Sequence, residues 1–129
     1  MKGTYLLLIQ LDHKATIKNR WVLEAGLYVY VGSAMNGLLQ RIGRHLKKGK
    51  KNHWHIDHLL QHGKILSVIM LPCEEKLEEN VSNMLAEKFG GPKGFGSSDL
   101  KVRTNLYKVD DMNAFCSLLG RLIEKFTKS

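Results

Sequence analysis

Short apolar runs alternate with amphipathic segments along this sequence. Continuous apolar runs are typical of strands that are covered on both faces, and β-branched and aromatic residues favour strands further. On this basis we predict strands at 3–9, 27–31, 64–71 and 101–109, with a short hairpin over 15–26. Pro72 is expected to end the third of these strands, because proline cannot donate to a strand ladder.

Apolar residues at helical spacing predict four helices. In the first, at 36–47, Leu39, Ile42 and Leu46 recur at i, i+3 and i+7, so we expect these side chains to face the core. Strands and helices that alternate irregularly indicate an α+β fold, with a small mixed or antiparallel sheet flanked by helices. The other helices are predicted at 54–61, at 74–89 and from Asp110 or Asp111 onwards, the last with Phe115, Leu118, Leu122 and Phe126 inside.

A single domain over 1–129 is expected, because 129 residues suffice for one core and the sequence contains no repeat or linker. Cys73 and Cys116 lie in apolar surroundings and are predicted to be buried thiols in a reducing cytoplasm. The apolar run near the start is too short for a signal peptide or a membrane span. We therefore expect a cytoplasmic protein that does not enter the membrane.

The chain is strongly basic, with 20 Lys and Arg residues against 12 Asp and Glu and a formal net charge of +8. A field of this sign attracts polyanions, and charge alone leaves nucleic acid, acidic lipid and phosphorylated ligands open. Arg41, Arg44, His45 and Lys48 recur at helical spacing after the strand at 27–31, on a face that we expect to be remote from the apolar stripe. The simplest interpretation is a solvated helix face.

A phosphate-binding site is the second interpretation of the same segment. Tyr28 and Tyr30 are two residues apart on a strand and therefore share a face. Gly32 and Ser33 follow at the turn into the helix, where small residues let a phosphate approach the backbone. Arg41 adds a planar guanidinium that can bind two phosphate oxygens at once. Together these residues predict a site for a phosphodiester.

The segment "YVGSAMNGLLQRIGRH" at 30–45 resembles the second half of the GIY-YIG nuclease signature, in which a Tyr-Ile-Gly strand end precedes a helical arginine and then a histidine. "GTY" at 3–5 is similar to the first half. With "HWHID" at 53–57 and "FGSSD" at 95–99, the sequence over 2–108 resembles a largely archaeal branch of that superfamily. This resemblance implies metal-dependent hydrolysis of phosphodiester bonds in DNA or structured nucleic acid, with DNA favoured over RNA.

The resemblance also implies a role for each matching residue. Tyr5 would help to activate the attacking water as a base, which requires nearby cations to lower its pKa from about 10. Tyr30 would orient water or phosphate, and Arg41 would bind the scissile phosphate as negative charge accumulates. His45 would assist the leaving group or brace Arg41. Glu78 would hold Mg²⁺ or Mn²⁺, with water completing an octahedral shell.

The sequence departs from the superfamily pattern in two places. Tyr5 and Tyr30 have 24 residues between them, which exceeds the usual spacing and predicts an extra hairpin. The late asparagine of active members has no clear match. For the metal ligand we prefer Glu78 to Glu79, because Glu78 is expected to border the buried face of its helix while Glu79 points away.

Two alternative functions remain open. One is a catalytically inactive nucleic-acid-binding module on the same fold, and the other is a zinc-binding protein that uses a helical stripe of His55, His58 and His62. Trp54 is interpreted either as a core residue or as a platform for a base. The residues expected to contact backbone phosphates are Gly32, Ser33, Arg44, Lys48, Lys50, Lys51, His53 and His55.

Overall fold

Strand β1 (Gly3–Leu11) lies at the centre of a four-stranded sheet, between β4 (Gly26–Ala34) and β5 (Lys64–Pro72). Strand β6 (Leu106–Lys108) pairs with the other edge of β4, which gives the order β5-β1-β4-β6. All three pairings are antiparallel, and the predicted α+β class is confirmed with its sheet in the antiparallel form. The computed structural model describes residues 1–97 and 102–127 of the chain.

A separate hairpin interrupts the path from β1 to β4. Its strands, β2 (Ala15–Ile17) and β3 (Trp21–Leu23), form a two-stranded antiparallel sheet. Lys18 and Asn19 at the tip both have positive φ, a conformation that the mirror-image hairpin turns require. The hairpin predicted between the two tyrosine segments is therefore confirmed, and it packs on the face of the sheet that carries Tyr5.

Helices cover both faces of the sheet. Helices α1 (Leu38–Leu46) and α2 (His55–Leu59) lie on the face that carries Tyr5, and α3 (Glu78–Ala86) and α4 (Met112–Thr127) pack on the other. Residues of β1 alternate between two apolar clusters, so the central strand is buried on both faces as its continuous apolar run predicts. None of the described helices is long and apolar enough to span a bilayer.

Several predicted elements are shorter in the structure. The helices predicted at 54–61 and 74–89 are reduced to the 5 residues of α2 and the 9 residues of α3. The strand predicted at 101–109 is reduced to β6, and its first residue lies outside the described residues, as do the last two letters of "FGSSD".

Helix α1 buries a different face from the predicted one. Leu39 and Leu46 are 60% and 55% exposed, whereas His45 is only 3% exposed. The prediction of an inward leucine stripe is wrong, because polar side chains of this helix find hydrogen-bond partners on the sheet and can therefore be buried. The inward face of the helix consists of Leu38, Arg41, Ile42 and His45.

The two cysteines are both free thiols. Cys73 is half-buried after β5, but Cys116 is exposed on α4. The prediction that both thiols are buried is wrong for Cys116, because α4 turns Phe115, Leu118 and Leu122 toward the core. Cys116 lies on a different side of the same helix.

Candidate active site

A cleft of about 760 Å³ opens beside the start of β1 and the end of β4. Its wall includes Tyr5 from β1, Tyr30 from β4, Arg41 from α1 and Glu78 from α3. Four side chains that are distant in sequence therefore line one cavity. The other described lining residues are Ser33, Met35, Asn36, His53, Trp54, His55, Lys76, Glu79, Asn80 and Gly96.

Tyr5 reaches the cleft across the neighbouring strand. It is paired with Gly32 in the β1–β4 ladder, and a Cβ atom at Gly32 would overlap the Tyr5 ring. Gly32 is itself buried and is not part of the cleft wall. We expected this glycine to let a phosphate approach the backbone, but the space it provides is filled by the phenol of Tyr5. Its function in the structure is to position that side chain.

The hydroxyl of Tyr5 lies 2.6 Å from Nε2 of His45. Burial raises the pKa of Tyr5 to about 12, although the positive charge of Arg41 opposes this shift. Burial also lowers the pKa of His45 to about 4, in spite of the nearby negative charge of Asp57. At neutral pH the pair is therefore a neutral phenol and a neutral imidazole. The lowered pKa expected for Tyr5 is not present in the protein alone.

Tyr30 lies on the same face of the sheet, two residues before Gly32. Its ring packs against His45 and Phe95, with centroid separations of 6.3 Å in each case. Burial raises the pKa of Tyr30 well above its ordinary value, and the neighbouring Tyr5 adds to the effect. Tyr30 is thus a neutral hydroxyl group in the cleft wall. Tyr28, in contrast, donates to the carbonyl of Glu24 at 2.7 Å and is not part of the wall.

Arg41 contacts the backbone of Ser33 and the ring of Trp54. Its Nη1 donates to the carbonyl oxygen of Ser33 at 2.9 Å. Its guanidinium carbon lies 4.4 Å from the centroid of the Trp54 ring, within the range of a cation–π contact. His45 was expected to assist the leaving group or to brace Arg41, and in the structure its ring is bonded to Tyr5.

Trp54 also packs against Arg44, whose position is fixed by the buried carboxylate of Asp57. The guanidinium carbon of Arg44 lies 4.2 Å from the Trp54 centroid, and its two Nη atoms donate to Asp57 at 2.8 and 2.9 Å. Asp57 also accepts the backbone N–H groups of His53 and Trp54. Burial alone would raise the pKa of Asp57, but these hydrogen bonds outweigh it and hold the pKa at about 2. Trp54 is therefore a platform for arginines.

Glu78 is the first residue of α3, and its partner was not found from the sequence. Oε2 of Glu78 accepts a hydrogen bond of 2.9 Å from Nδ2 of Asn105, a fully buried residue that also donates to the carbonyl of Gly96. The sequence analysis did not select Asn105, and this hydrogen bond to Glu78 connects it to the candidate site. Glu79 lines the cleft as well, so the expected contrast with Glu78 is absent, and both residues are half-buried in the first turn of α3.

The residues around Glu78 fit a hard divalent cation. Oδ1 of Asn105 is buried and has no hydrogen-bond partner within the described residues. Carboxylate and amide oxygens are the ligands that Mg²⁺ prefers, and Mg²⁺ commonly keeps several waters. No group of three His, Cys, Asp or Glu side chains is arranged for a metal over 1–97 and 102–127. A cation here would therefore be held by Glu78 and Asn105, with water as its remaining ligands.

The histidines and lysines predicted to bind phosphates do not lie in one cavity. His53 and His55 line the cleft, and Nδ1 of His55 accepts the backbone N–H of Gly96 at 2.9 Å. Lys48 and Lys50 line a different cavity, and Lys51 is exposed outside both. The basic ridge predicted on α1 is therefore divided, with Arg41 on the cleft side.

The histidine stripe proposed for zinc does not form. Helix α2 ends at Leu59, and the N–H of His62 closes a turn onto the Leu59 carbonyl at 2.9 Å. His62 therefore does not continue the helical face of His58. His55 is bonded to Gly96, and the three histidines are not assembled into a metal-binding group.

Comparison with known families gives one match. Residues 4–128 match the family described as "Domain of unknown function DUF123". The match spans nearly the whole chain, so the chain belongs to this family. No curated protein and no solved structure matches the chain.

Proposed function

We propose that this chain is a metal-dependent endonuclease of the GIY-YIG type, which hydrolyses phosphodiester bonds in DNA or structured nucleic acid. The observation that carries the proposal is the presence of Tyr5, Tyr30, Arg41 and Glu78 in the wall of one cleft. The sequence pattern assigns the same four residues to catalysis, and the net charge of +8 favours a polyanionic substrate. Free thiols suit a cytoplasmic setting for this activity.

Arg41 is the residue best suited to bind the scissile phosphate. Its contacts with Ser33 and Trp54 fix the plane of the guanidinium while using only part of its five N–H donors. A guanidinium held in this way can bind two phosphate oxygens in parallel. Charge that is oriented before the reaction stabilises the negative charge that develops in the transition state. Arg41 would therefore lower the barrier as well as bind the substrate.

Tyr5 and His45 would move the proton of the attacking water. A neutral phenol accepts a proton only if it releases its own, and Nε2 of His45 is 2.6 Å away to receive it. As the new phosphorus–oxygen bond forms, the water proton passes to Tyr5 and the phenolic proton passes to His45. The bond from phosphorus to the leaving oxygen then breaks and that oxygen takes a proton from solvent, after which His45 returns its proton to Tyr5 and Tyr5 releases one to solvent. Positioned proton transfer of this kind contributes roughly 10²–10⁴-fold to the rate.

Glu78 and Asn105 would hold Mg²⁺ or Mn²⁺ at the edge of the same cleft. When bound, such a cation stabilises negative charge on phosphate oxygens as a Lewis acid and favours the ionised form of nearby hydroxyl groups. Tyr30 would orient the phosphate or the water by hydrogen bonding from its neutral hydroxyl. Asn105 would keep the carboxylate of Glu78 in place through its Nδ2 atom.

A cleavage assay tests this proposal. The protein is incubated with branched, nicked and plain duplex DNA in Mg²⁺ or Mn²⁺, beside the variants Arg41→Ala and Arg121→Ala. Arg121 is a matched control because it lies on α4, 54% exposed, and pairs only distantly with Glu87 at 3.7 Å. We expect cleavage by the protein and by the control, and loss of cleavage with Arg41→Ala. No cleavage of any substrate, or equal cleavage by both variants, removes the enzymatic proposal.

A catalytically inactive nucleic-acid-binding module is the second candidate. It is favoured by the pKa of about 12 for Tyr5 and of about 4 for His45, which make both groups weakly reactive in the protein alone. Such a module would bind DNA with a steep dependence on salt and would release no product. The same assay, run together with a binding measurement, separates the two candidates.

A further inference from the structure

A second cavity has a volume of about 620 Å³. It is lined by the end of α1 and the loop that follows, by α2 and the turn after it, and by the start of β5. Among the described residues it shares no lining residue with the cleft that contains Tyr5. Its most prominent chemical feature is a set of four ammonium groups, from Lys47, Lys48, Lys50 and Lys64.

No free carboxylate in the described lining of this cavity neutralises the charges of its lysines. Asp57 is the only carboxylate in its described lining, and both oxygens of Asp57 already accept hydrogen bonds from Arg44. The carbonyl groups at the end of α1 could also attract cations. However, Nζ of Lys50 already donates to the carbonyls of His45 and Lys47, at 3.3 and 3.0 Å. The cavity is therefore suited to an anion.

One hydrogen bond links the walls of the two cavities. His45 contributes to the wall of the second cavity, while its Nε2 contacts the Tyr5 hydroxyl in the wall of the first. Its other ring nitrogen, Nδ1, is buried without a hydrogen-bond partner in the described part of the chain. A buried polar atom of this kind is stabilised when an occupant or a bound water supplies the missing hydrogen bond.

We propose that the second cavity is a phosphate-binding site for the backbone of a nucleic acid, separate from the cleft. A polymer is favoured over a free phosphate because Lys47, Lys48 and Lys51 are exposed and continue the positive charge out of the cavity along the loop. The site extends the proposed function in one respect: a substrate that fills both sites must present phosphates on two sides of the end of α1. A duplex or branched substrate meets this condition better than a dinucleotide.

Binding of a fluorescent DNA duplex, measured by anisotropy in EDTA over a salt series, tests the second site. The double variant Lys47→Gln/Lys64→Gln removes two charges from the cavity. Lys88→Gln/Lys125→Gln removes the same charge from exposed positions around α3 and α4, on the opposite face. We expect the slope of log affinity against log salt to become shallower by about 2 in the cavity variant. The factor by which its affinity falls between 50 and 200 mM salt should therefore be roughly tenfold smaller than for the unmodified protein. The control should keep the slope of the unmodified protein.

Two results would overturn the proposal. One is a cavity variant whose salt slope equals that of the control. The other is binding of ATP that is lost in the cavity variant while duplex binding is unchanged, which would assign the cavity to free nucleotides. Because EDTA prevents metal-dependent cleavage, the outcome does not depend on the nuclease activity. A protein that never cuts DNA but shows the slope change would retain this site and lose only the enzymatic proposal.

Discussion

The hydroxyl of Tyr5 and Nε2 of His45 form a hydrogen bond of 2.6 Å between two side chains that are 1% and 3% exposed. This pair links β1 to α1. It also links the wall of the cleft, which contains Tyr5, to the wall of the second cavity, which contains His45. Its burial explains why both groups are neutral, and its short distance explains how a proton could pass between them. Structure and proposed chemistry therefore depend on the same contact.

Replacement of Tyr5 by phenylalanine should abolish the proton transfer while preserving the shape of the site. We expect single-turnover cleavage to fall by about 10²–10⁴-fold. The free energy of unfolding should fall by about 1–3 kcal/mol, because Nε2 of His45 becomes a buried atom without a partner. Tyr28→Phe is the matched control, since Tyr28 bonds only to the Glu24 carbonyl. Equal rates for the two variants would remove Tyr5 from the mechanism.

Gly32→Ala should disturb Tyr5 without changing any catalytic group. The added methyl group would overlap the phenol ring, so Tyr5 must move away from His45. We expect a loss of about 1–3 kcal/mol in stability, as is usual for overpacking, together with slower cleavage. Gly43→Ala is the control, because Gly43 is exposed on α1 and its Cβ atom would contact nothing. That variant should be stabilised by about 0.5–1 kcal/mol through its higher helix propensity. Urea unfolding measures both changes.

The ion pair between Asp57 and Arg44 should make stability depend on pH in the acid range. The pKa of Asp57 is about 2 in the folded protein against an ordinary 3.8, so folding favours its ionised form. This stabilisation is roughly 2 kcal/mol above pH 4, and it is lost as the pH falls toward 2. We therefore expect Asp57→Asn to be less stable than the unmodified protein at pH 6. The difference in unfolding free energy should shrink between pH 4 and pH 2, and a constant difference would contradict the assignment.

Glu78→Gln should weaken the binding of Mn²⁺, because the amide removes the negative charge of the ligand. Paramagnetic broadening of amide signals near Asn105, followed by NMR during a Mn²⁺ titration, measures this directly. Glu124→Gln, at an exposed position of α4, provides a control. The variant Glu79→Gln identifies which of the two adjacent carboxylates is the ligand. Unchanged broadening in Glu78→Gln would assign the cation to Glu79 or to another site.

The strands could be predicted from the sequence because their signal is local. β1 and β4 have long apolar and β-branched segments, and the predicted strands lie within the observed ones. The prediction of a turn at Gly32 and Ser33 is wrong, because β4 continues through both residues in its pairing with β1. The face of α1 could not be predicted in the same way. The leucines at helical spacing suggested one face, whereas hydrogen bonds to β1 and β4 select another. Those partners are visible only after the strands and helix are assembled.

The candidate site was likewise predictable from the sequence only in part. Tyr5, Tyr30, Arg41 and Glu78 could be selected by their order along the sequence, and they line one cleft. Asn105 could not, because its significance comes from a contact with a residue 27 positions earlier. A local motif does not encode such a contact. The available signal in the sequence was an asparagine directly before the residues of a short strand.

The central claim is that residues from α1 and α3 act on the same phosphodiester, and a double-mutant cycle tests it most directly. Single-turnover cleavage of duplex or branched DNA in Mg²⁺ is measured for the unmodified protein, for Arg41→Ala, for Glu78→Gln and for the double variant. Residues that act as a unit show strongly non-additive losses, so we expect the double variant to be little slower than either single variant. Losses that simply multiply, or an unmodified protein that cuts none of these substrates, would contradict the claim.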